Sequence, residues 1–219
     1  MVSQCRFVGL IDNERTMVQH KNHLWVIQHS LLSRELIFQN FFNRFGKFNK
    51  IFIRPKTPIF DIVHMSLQVE PNLLEDFMRS ELFSADGEFV QQRKVERSNV
   101  NLVAVAQQIV TALCGDETKR QMFLEYFSMQ IEEPGILSSL PEIVDNYIPP
   151  LEKLGEFFIQ LVTKVNWNDE KPCFLGVASC FAELYALKAP LAEDDDREAR
   201  LIHKPINVSP NVKYPVTFK

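Results

Sequence analysis

The hydrophobic period of the chain changes near residue 30, and that switch restricts the fold more than any other feature. Up to Gln28, apolar and polar residues alternate in short runs broken by turn residues. The runs Cys5–Ile11, Arg15–His20 and His23–Gln28, with Asp12-Asn13-Glu14 and Lys21-Asn22 between them, predict a three-stranded antiparallel meander. From Ser30 the spacing lengthens to that of a helix. Ile37, Phe41 and Phe45 recur at one face, Ser30 or Ser33 is placed to cap the start, and Gly46 supplies a left-handed stop. Leu36, Phe38 and Phe42 widen the apolar stripe almost around the cylinder, which predicts burial on more than one side. Sheet first and helices after, rather than regular alternation, implies an α+β fold.

The rest of the chain continues that reading. Phe48–Arg54 is a predicted strand closed by Pro55 and Pro58, and Ile59–Gln68 and Leu73–Phe83 are predicted helices. Ser84–Arg97, with Asp86-Gly87 and mixed charges, has the composition of a loop or linker. Ser98 is expected to open an apolar helix through Val100, Val103, Ile109, Val110 and Leu113, ended by Gly115. Asp116 then starts a helix through Met122 and Phe123, followed by a second strand region around Met129, Leu137 and Ile143. Two helices complete the pattern, Leu151–Val165 and Asp169 to about Leu187, with Pro172 in a first turn where its missing N–H costs nothing. Beyond Lys188 the acidic run Glu193–Asp196 and proline-spaced polar sequence read as a tail. Two lobes follow, 1–115 and 116–188, with the tail at 189–219.

Composition removes several function classes. With 219 residues, 46% of them hydrophobic, the chain can bury a real core. No apolar run approaches the ~20 residues of a membrane span, and Met1–Arg6 lacks the core of a secretory signal, so a cytosolic or nuclear address is expected. The 4 cysteines have no CxxC spacing and sit in apolar patterns, as reduced buried thiols do. A net charge of −4, with no basic stripe interleaved with aromatics, argues against a stand-alone nucleic-acid binder. No Gly-rich nucleotide motif occurs among 7 glycines. The one cluster of metal-binding residue types is His20, His23 and His29. It would serve a small metal-dependent hydrolase only if acids such as Asp61 or Glu35 were brought in by the fold, because the sequence around it offers no carboxylate to complete a shell.

A longer series of motifs points elsewhere. Val144-Asp145-Asn146-Tyr147-Ile148-Pro149-Pro150-Leu151-Glu152-Lys153-Leu154 is followed by Val165-Asn166-Trp167, Asp169-Glu170-Lys171 and Cys173-Phe174. Ahead of it, in order, stand Phe7-Val8-Gly9, Gln19-His20, Leu32-Ser33-Arg34-Glu35-Leu36, Pro58-Ile59-Phe60-Asp61-Ile62, Tyr126-Phe127-Ser128-Met129 and Ile131-Glu132. This ordered series resembles the C-terminal domain of eukaryotic MutL homologues in DNA mismatch repair, and within that family the common, non-nuclease subunit of the heterodimers. The likeness runs to about Ala189.

The resemblance implies a two-lobed α+β domain, a sheet-and-helix dimerisation lobe over 1–115 and a regulatory lobe over 116–188. It implies a nuclear protein that pairs with a nuclease-bearing MutL relative, docks short peptides of repair proteins, and meets DNA only indirectly, with no cofactor and no membrane. The implied pairing surface lies between Phe7 and Ile53, and its candidates are Phe7, Val8, Leu36, Ile37, Phe41, Phe45 and Phe52. Nuclease-bearing members carry Asp-Gln-His-Ala, two variable residues, Glu, four variable residues and Glu at the strand-to-helix junction, because hard anionic ligands hold the ions that activate water. Here the junction reads Ile27-Gln28-His29-Ser30, then Ser33 and Phe38 in the acidic places, so no catalytic or metal residue is expected. Such members also follow Ser/Ala-Cys in the last regulatory helix with Lys or Arg, whereas Ser179-Cys180 precedes Phe181-Ala182-Glu183. The family pattern continues with further dimerisation helices and a tail ending in cysteine. The closing Val212-Lys213-Tyr214-Pro215-Val216-Thr217-Phe218-Lys219 resembles neither, so the end of the chain does not imply tight dimerisation.

Overall fold

The computed structural model describes residues 5–84 and 100–187. They fall into two compact units, one holding Cys5–His29 and the other Ser30–Leu187 with its break at 85–99. The fold is α+β, with seven α-helices and two small antiparallel sheets among the described residues. The linker expected at 84–97 and the tail expected at 189–219 lie, apart from Ser84, outside them.

The first unit is the predicted meander. β1 (Cys5–Leu10), β2 (Arg15–His20) and β3 (His23–Gln28) pair antiparallel in that order. Each turn has a local cause. Asp12 accepts from the Glu14 amide at 2.9 Å and from the Arg15 guanidinium at 2.6 Å, which folds the first turn over itself. At the second turn Lys21 takes a positive φ of 55° between the paired residues His20 and His23.

α1 (His29–Asn43) begins at the last residue of the first unit and lies otherwise in the second; it starts one residue ahead of Ser30, the first of the expected caps. Ser30 and Ser33 therefore lie inside its first turns, where the Ser33 hydroxyl donates to the Ser30 carbonyl at 2.9 Å. Gly46 has the left-handed φ of 69° that its position called for. β4 (Asn49–Pro58) continues to Pro58, past the predicted stop, and leads into α2 (Ile59–Val69) and α3 (Pro71–Ser84). α4 (Leu102–Cys114) is capped by Asn101, whose side chain accepts from the amides of Val103 and Ala104. The expected Ser98 is three residues too early, because a cap must be followed directly by the first turn. Asp116 caps α5 (Glu117–Phe127) as predicted, accepting from Thr118.

β5 (Gln130–Glu132) and β6 (Ile136–Glu142) follow, and the second sheet runs β4-β6-β5 with β6 in the middle. A short 3-10 turn at Leu151–Lys153 then enters α6 (Leu154–Thr163), and α7 (Glu170–Tyr185) ends the described chain. One core unites these elements. Phe41 is fully buried, with its ring 5.5 Å from that of Phe127 and 5.4 Å from that of Phe181, while Ile59, Val63, Ile109, Leu137 and Phe158 are fully buried beside it in the same cluster. Each such side chain contributes roughly 1.5–3 kcal/mol through removal of apolar area from water. The boundary expected near Asp116 falls inside this unit, where β4 and β6 pair across it.

Candidate partner interface

The candidates separate by burial. On α1, Ile37 and Phe41 face the core, and Phe41 is surrounded by the rings of Phe42, Phe45, Phe48, Phe127 and Phe181. A side chain with no solvent contact cannot meet a partner, so these two residues hold the helix in place and do not present a surface. Phe45 is half-buried in an aromatic group with Tyr126, Phe127 and Phe174. The outward side of α1 is instead formed by Leu31, Leu32, Leu36 and Phe42. Of these only Leu36 was among the pairing candidates read from the sequence. The signal for Leu32 was its place one turn before Leu36, which α1 exposes along with it. Glu35 and Gln39 lie in the middle of this side and bond to each other at 2.6 Å.

In the first unit Phe7, Val8 and Leu10 of β1 and Leu24, Trp25 and Val26 of β3 are all at least half exposed. Neighbouring residues of a strand point to opposite faces, so the exposed Trp25 and Val26 put apolar area on both sides of a sheet of only three strands. Such a sheet is marginal without cover. Phe52, the remaining candidate, is 64% exposed on β4.

At the junction that carries metal ligands in nuclease-type relatives, none of the three acidic places holds a carboxylate. His29 is tied by Nε2 to the Thr16 hydroxyl and by its backbone N–H to the Glu14 carbonyl. The Ser33 hydroxyl accepts from the Leu187 amide at 3.0 Å, and Phe38 packs edge-on against Phe42. His20 and His23 pair across the second turn. Asp61 sits in the first turn of α2 and Glu35 is engaged by Gln39. Among the described residues no group of three or more His, Cys, Asp or Glu side chains is placed to hold a metal ion. Cys180 is buried, which pushes its thiol up to about 12, and burial pushes Cys114 up to about 11; neither is a poised nucleophile. No described helix is long and apolar enough to cross a membrane.

A family model described as the C-terminus of the DNA mismatch repair protein Mlh1 matches residues 1–211. The chain belongs to the Mlh1 C-terminal family. Three relatives agree. The DNA mismatch repair protein Mlh1 of Dictyostelium discoideum is 27% identical over 186 residues, covering 85% of this chain and 18% of the relative. The putative MutL protein homolog 1 of Schizosaccharomyces pombe is 24% identical, covering 89% and 24% respectively. MLH1 of Saccharomyces cerevisiae is 27% identical, covering 93% and 25%. The chain thus spans a quarter or less of the length of these relatives. The Mlh1-type match continues past Ala189, where the motif likeness had been expected to end.

Proposed function

We propose that the chain is a non-catalytic C-terminal heterodimerisation and interaction domain of a MutL homologue acting in DNA mismatch repair in the nucleus, and that it pairs with a nuclease-bearing MutL relative. The observation that carries the reading is membership of the Mlh1 C-terminal family across residues 1–211. Ile27, Ser33 and Phe38 in the places of three acids support the non-catalytic part. Dimerisation is assigned to 1–115 and regulation to 116–188. The pairing contacts are assigned to exposed candidates, Phe7 and Val8 on β1 and Leu36 on α1, joined by Leu31, Leu32 and Phe42. Docking peptides of repair proteins are further partners. DNA is reached through those partners, in keeping with the net charge of −4.

The test is co-expression with the C-terminal domain of a nuclease-bearing relative carrying the affinity tag. The wild-type chain is expected to co-purify, and Leu36→Glu to reduce recovery while leaving helical circular dichroism unchanged. Phe41→Glu should lose both fold and recovery, because a charge would enter the core. Full recovery of Leu36→Glu and of a Phe7→Glu, Val8→Glu variant would remove the assigned surface. The chain alone should leave supercoiled DNA intact in Mn²⁺. Nicking that His29→Ala abolishes would favour a histidine-centred hydrolase instead.

A further inference from the structure

β4 carries the pairing candidate Phe52, and it alternates in a way that points to a different use of that residue. Lys50, Phe52 and Arg54 are exposed, while Ile51 and Ile53 are half-buried against the core. Alternate residues of a strand share a face at about 6.7 Å spacing, so two cations flank one open aromatic ring. β4 is also an edge strand, since the sheet order is β4-β6-β5. Among the described residues its outer row of N–H and C=O groups meets no further strand.

The nearby acids are already engaged. Glu132 holds Lys56 at 2.7 Å, Asp145 holds Arg44 at 2.7 Å, and Glu142 accepts from Asn49 and from the Asn146 amide. Neither Lys50 nor Arg54 has an acidic partner among the described residues. Lysine and proline on an edge guard it against edge-to-edge association. That accounts for the second half of β4, where pairing with β6 is interrupted between Phe52 and Thr57 and Pro55 supplies no N–H. It does not account for a 64% exposed phenylalanine in the middle of the strand. Asn49 to Phe52 keep an uninterrupted register with Glu142 to Ser139, so this half of the edge is straight enough to accept another strand.

We infer that β4 receives an extended acidic peptide of a partner protein as an added strand, with Lys50 and Arg54 holding carboxylates on either side of an apolar side chain that packs on Phe52. Main-chain hydrogen bonds supply affinity in this mode and the alternate side chains supply selectivity. A single-stranded nucleic acid fits less well, because sequence-tolerant stacking needs a series of aromatics and β4 exposes one. Phe52 is the one residue shared with the pairing candidates, and the inference stands whether or not the chain pairs with a MutL relative.

The probe is a fluorescein-labelled, capped heptapeptide with glutamate at its second and sixth positions, valine at its fourth and threonine elsewhere, titrated into the full 219-residue chain and followed by anisotropy. Saturable binding is expected. It should weaken about tenfold in Lys50→Glu, Arg54→Glu, the sum of two exposed ion pairs reversed. A lysine-for-glutamate peptide should bind that variant and not the wild type, which separates charge matching from misfolding. Methylating the peptide's backbone nitrogens should abolish binding. Absence of binding, indifference to the charge swap, indifference to N-methylation, or displacement by a short oligothymidine at lower concentration would each overturn the proposal.

Discussion

Gly155 is where the second unit has least room, and replacing it by alanine is a stringent test of its packing. α2 and α6 cross so closely there that a Cβ on residue 155 would lie 1.8 Å from Ser66 Oγ, 2.3 Å from Ser66 Cβ and 3.0 Å from the Ile62 carbonyl oxygen. Rotating the serine hydroxyl removes only the first clash. The second involves an atom fixed to the backbone, and reaching ordinary contact at 3.4 Å requires the helices to part by about an ångström. Gly155→Ala gains about 1 kcal/mol of helix propensity. Against this stand an overpacking cost of about 1–3 kcal/mol and the loosening of Val63, Leu67, Phe158 and Ile159, which lie on the same two helices. Because the helices must move apart as rigid bodies, the cost is placed at the upper end, for a net loss of about 2 kcal/mol. That corresponds to a fall of roughly 4–8 °C in the melting temperature of a unit of this size. The assay is thermal and urea unfolding followed by circular dichroism at the helical band. Ser66→Gly combined with Gly155→Ala should recover most of the loss, a coupling that a double-mutant cycle reads directly. Unchanged or raised stability in Gly155→Ala, or no coupling to residue 66, would refute the close crossing.

Three further outcomes follow from named contacts. The buried Tyr185 hydroxyl donates to the Pro141 carbonyl, so Tyr185→Phe removes one buried hydrogen bond and should cost about 0.5–1.5 kcal/mol in urea unfolding. Asp145 is held below its ordinary value of 3.8 by hydrogen bonding to Arg44, so its contribution is complete above that value and disappears as pH falls through the lower folded value. Melting temperature should therefore drop below about pH 4, less steeply in Asp145→Asn. Cys114, Cys173 and Cys180 are buried and their thiols raised by desolvation, whereas Cys5 is half-buried, so in Cys5→Ser Ellman's reagent should modify the remaining thiols only as fast as the chain unfolds; rapid native-state reaction of that variant would place at least one of the three at the surface.

Most elements were legible because their signals are local. The two turns of the meander, the left-handed Gly46, the Asp116 cap and the first-turn Pro172 are each fixed by a few neighbouring residues. What the sequence did not disclose is long-range. The spacing of α1 contains Ile37, Phe41, Leu36 and Phe42 alike, and only the arrival of Phe127 and Phe181 at the Phe41 ring decides which side is core. β4 pairs with β6 some eighty residues away, across the position near Asp116 where two lobes were expected to meet. The cationic stripe on β4 was likewise hidden, because Lys50, Phe52 and Arg54 form a stripe only once Ile51 and Ile53 have turned inward.

The residues in and beside the three acidic places each make other contacts. His29 is bound to Thr16 and Glu14 within the meander, which fixes the imidazole to the sheet and occupies Nε2. Ser33, standing where a nuclease-type relative would carry an acid, accepts from the Leu187 amide just after α7 and donates within α1, while Arg34 beside it pairs with Glu183 at 2.8 Å. Phe38 is half-buried against Phe42 and the core. A glutamate at 33 would take away the acceptor that ties α1 to the end of α7 and would sit two residues from Glu35, and a glutamate at 38 would force a charge among aromatic rings at a cost of several kcal/mol. Restoring the acids singly therefore destabilises the fold before any ligand set exists. The contacts that Ser33 and Phe38 make therefore oppose the installation of an acidic ligand set of the nuclease type at this junction.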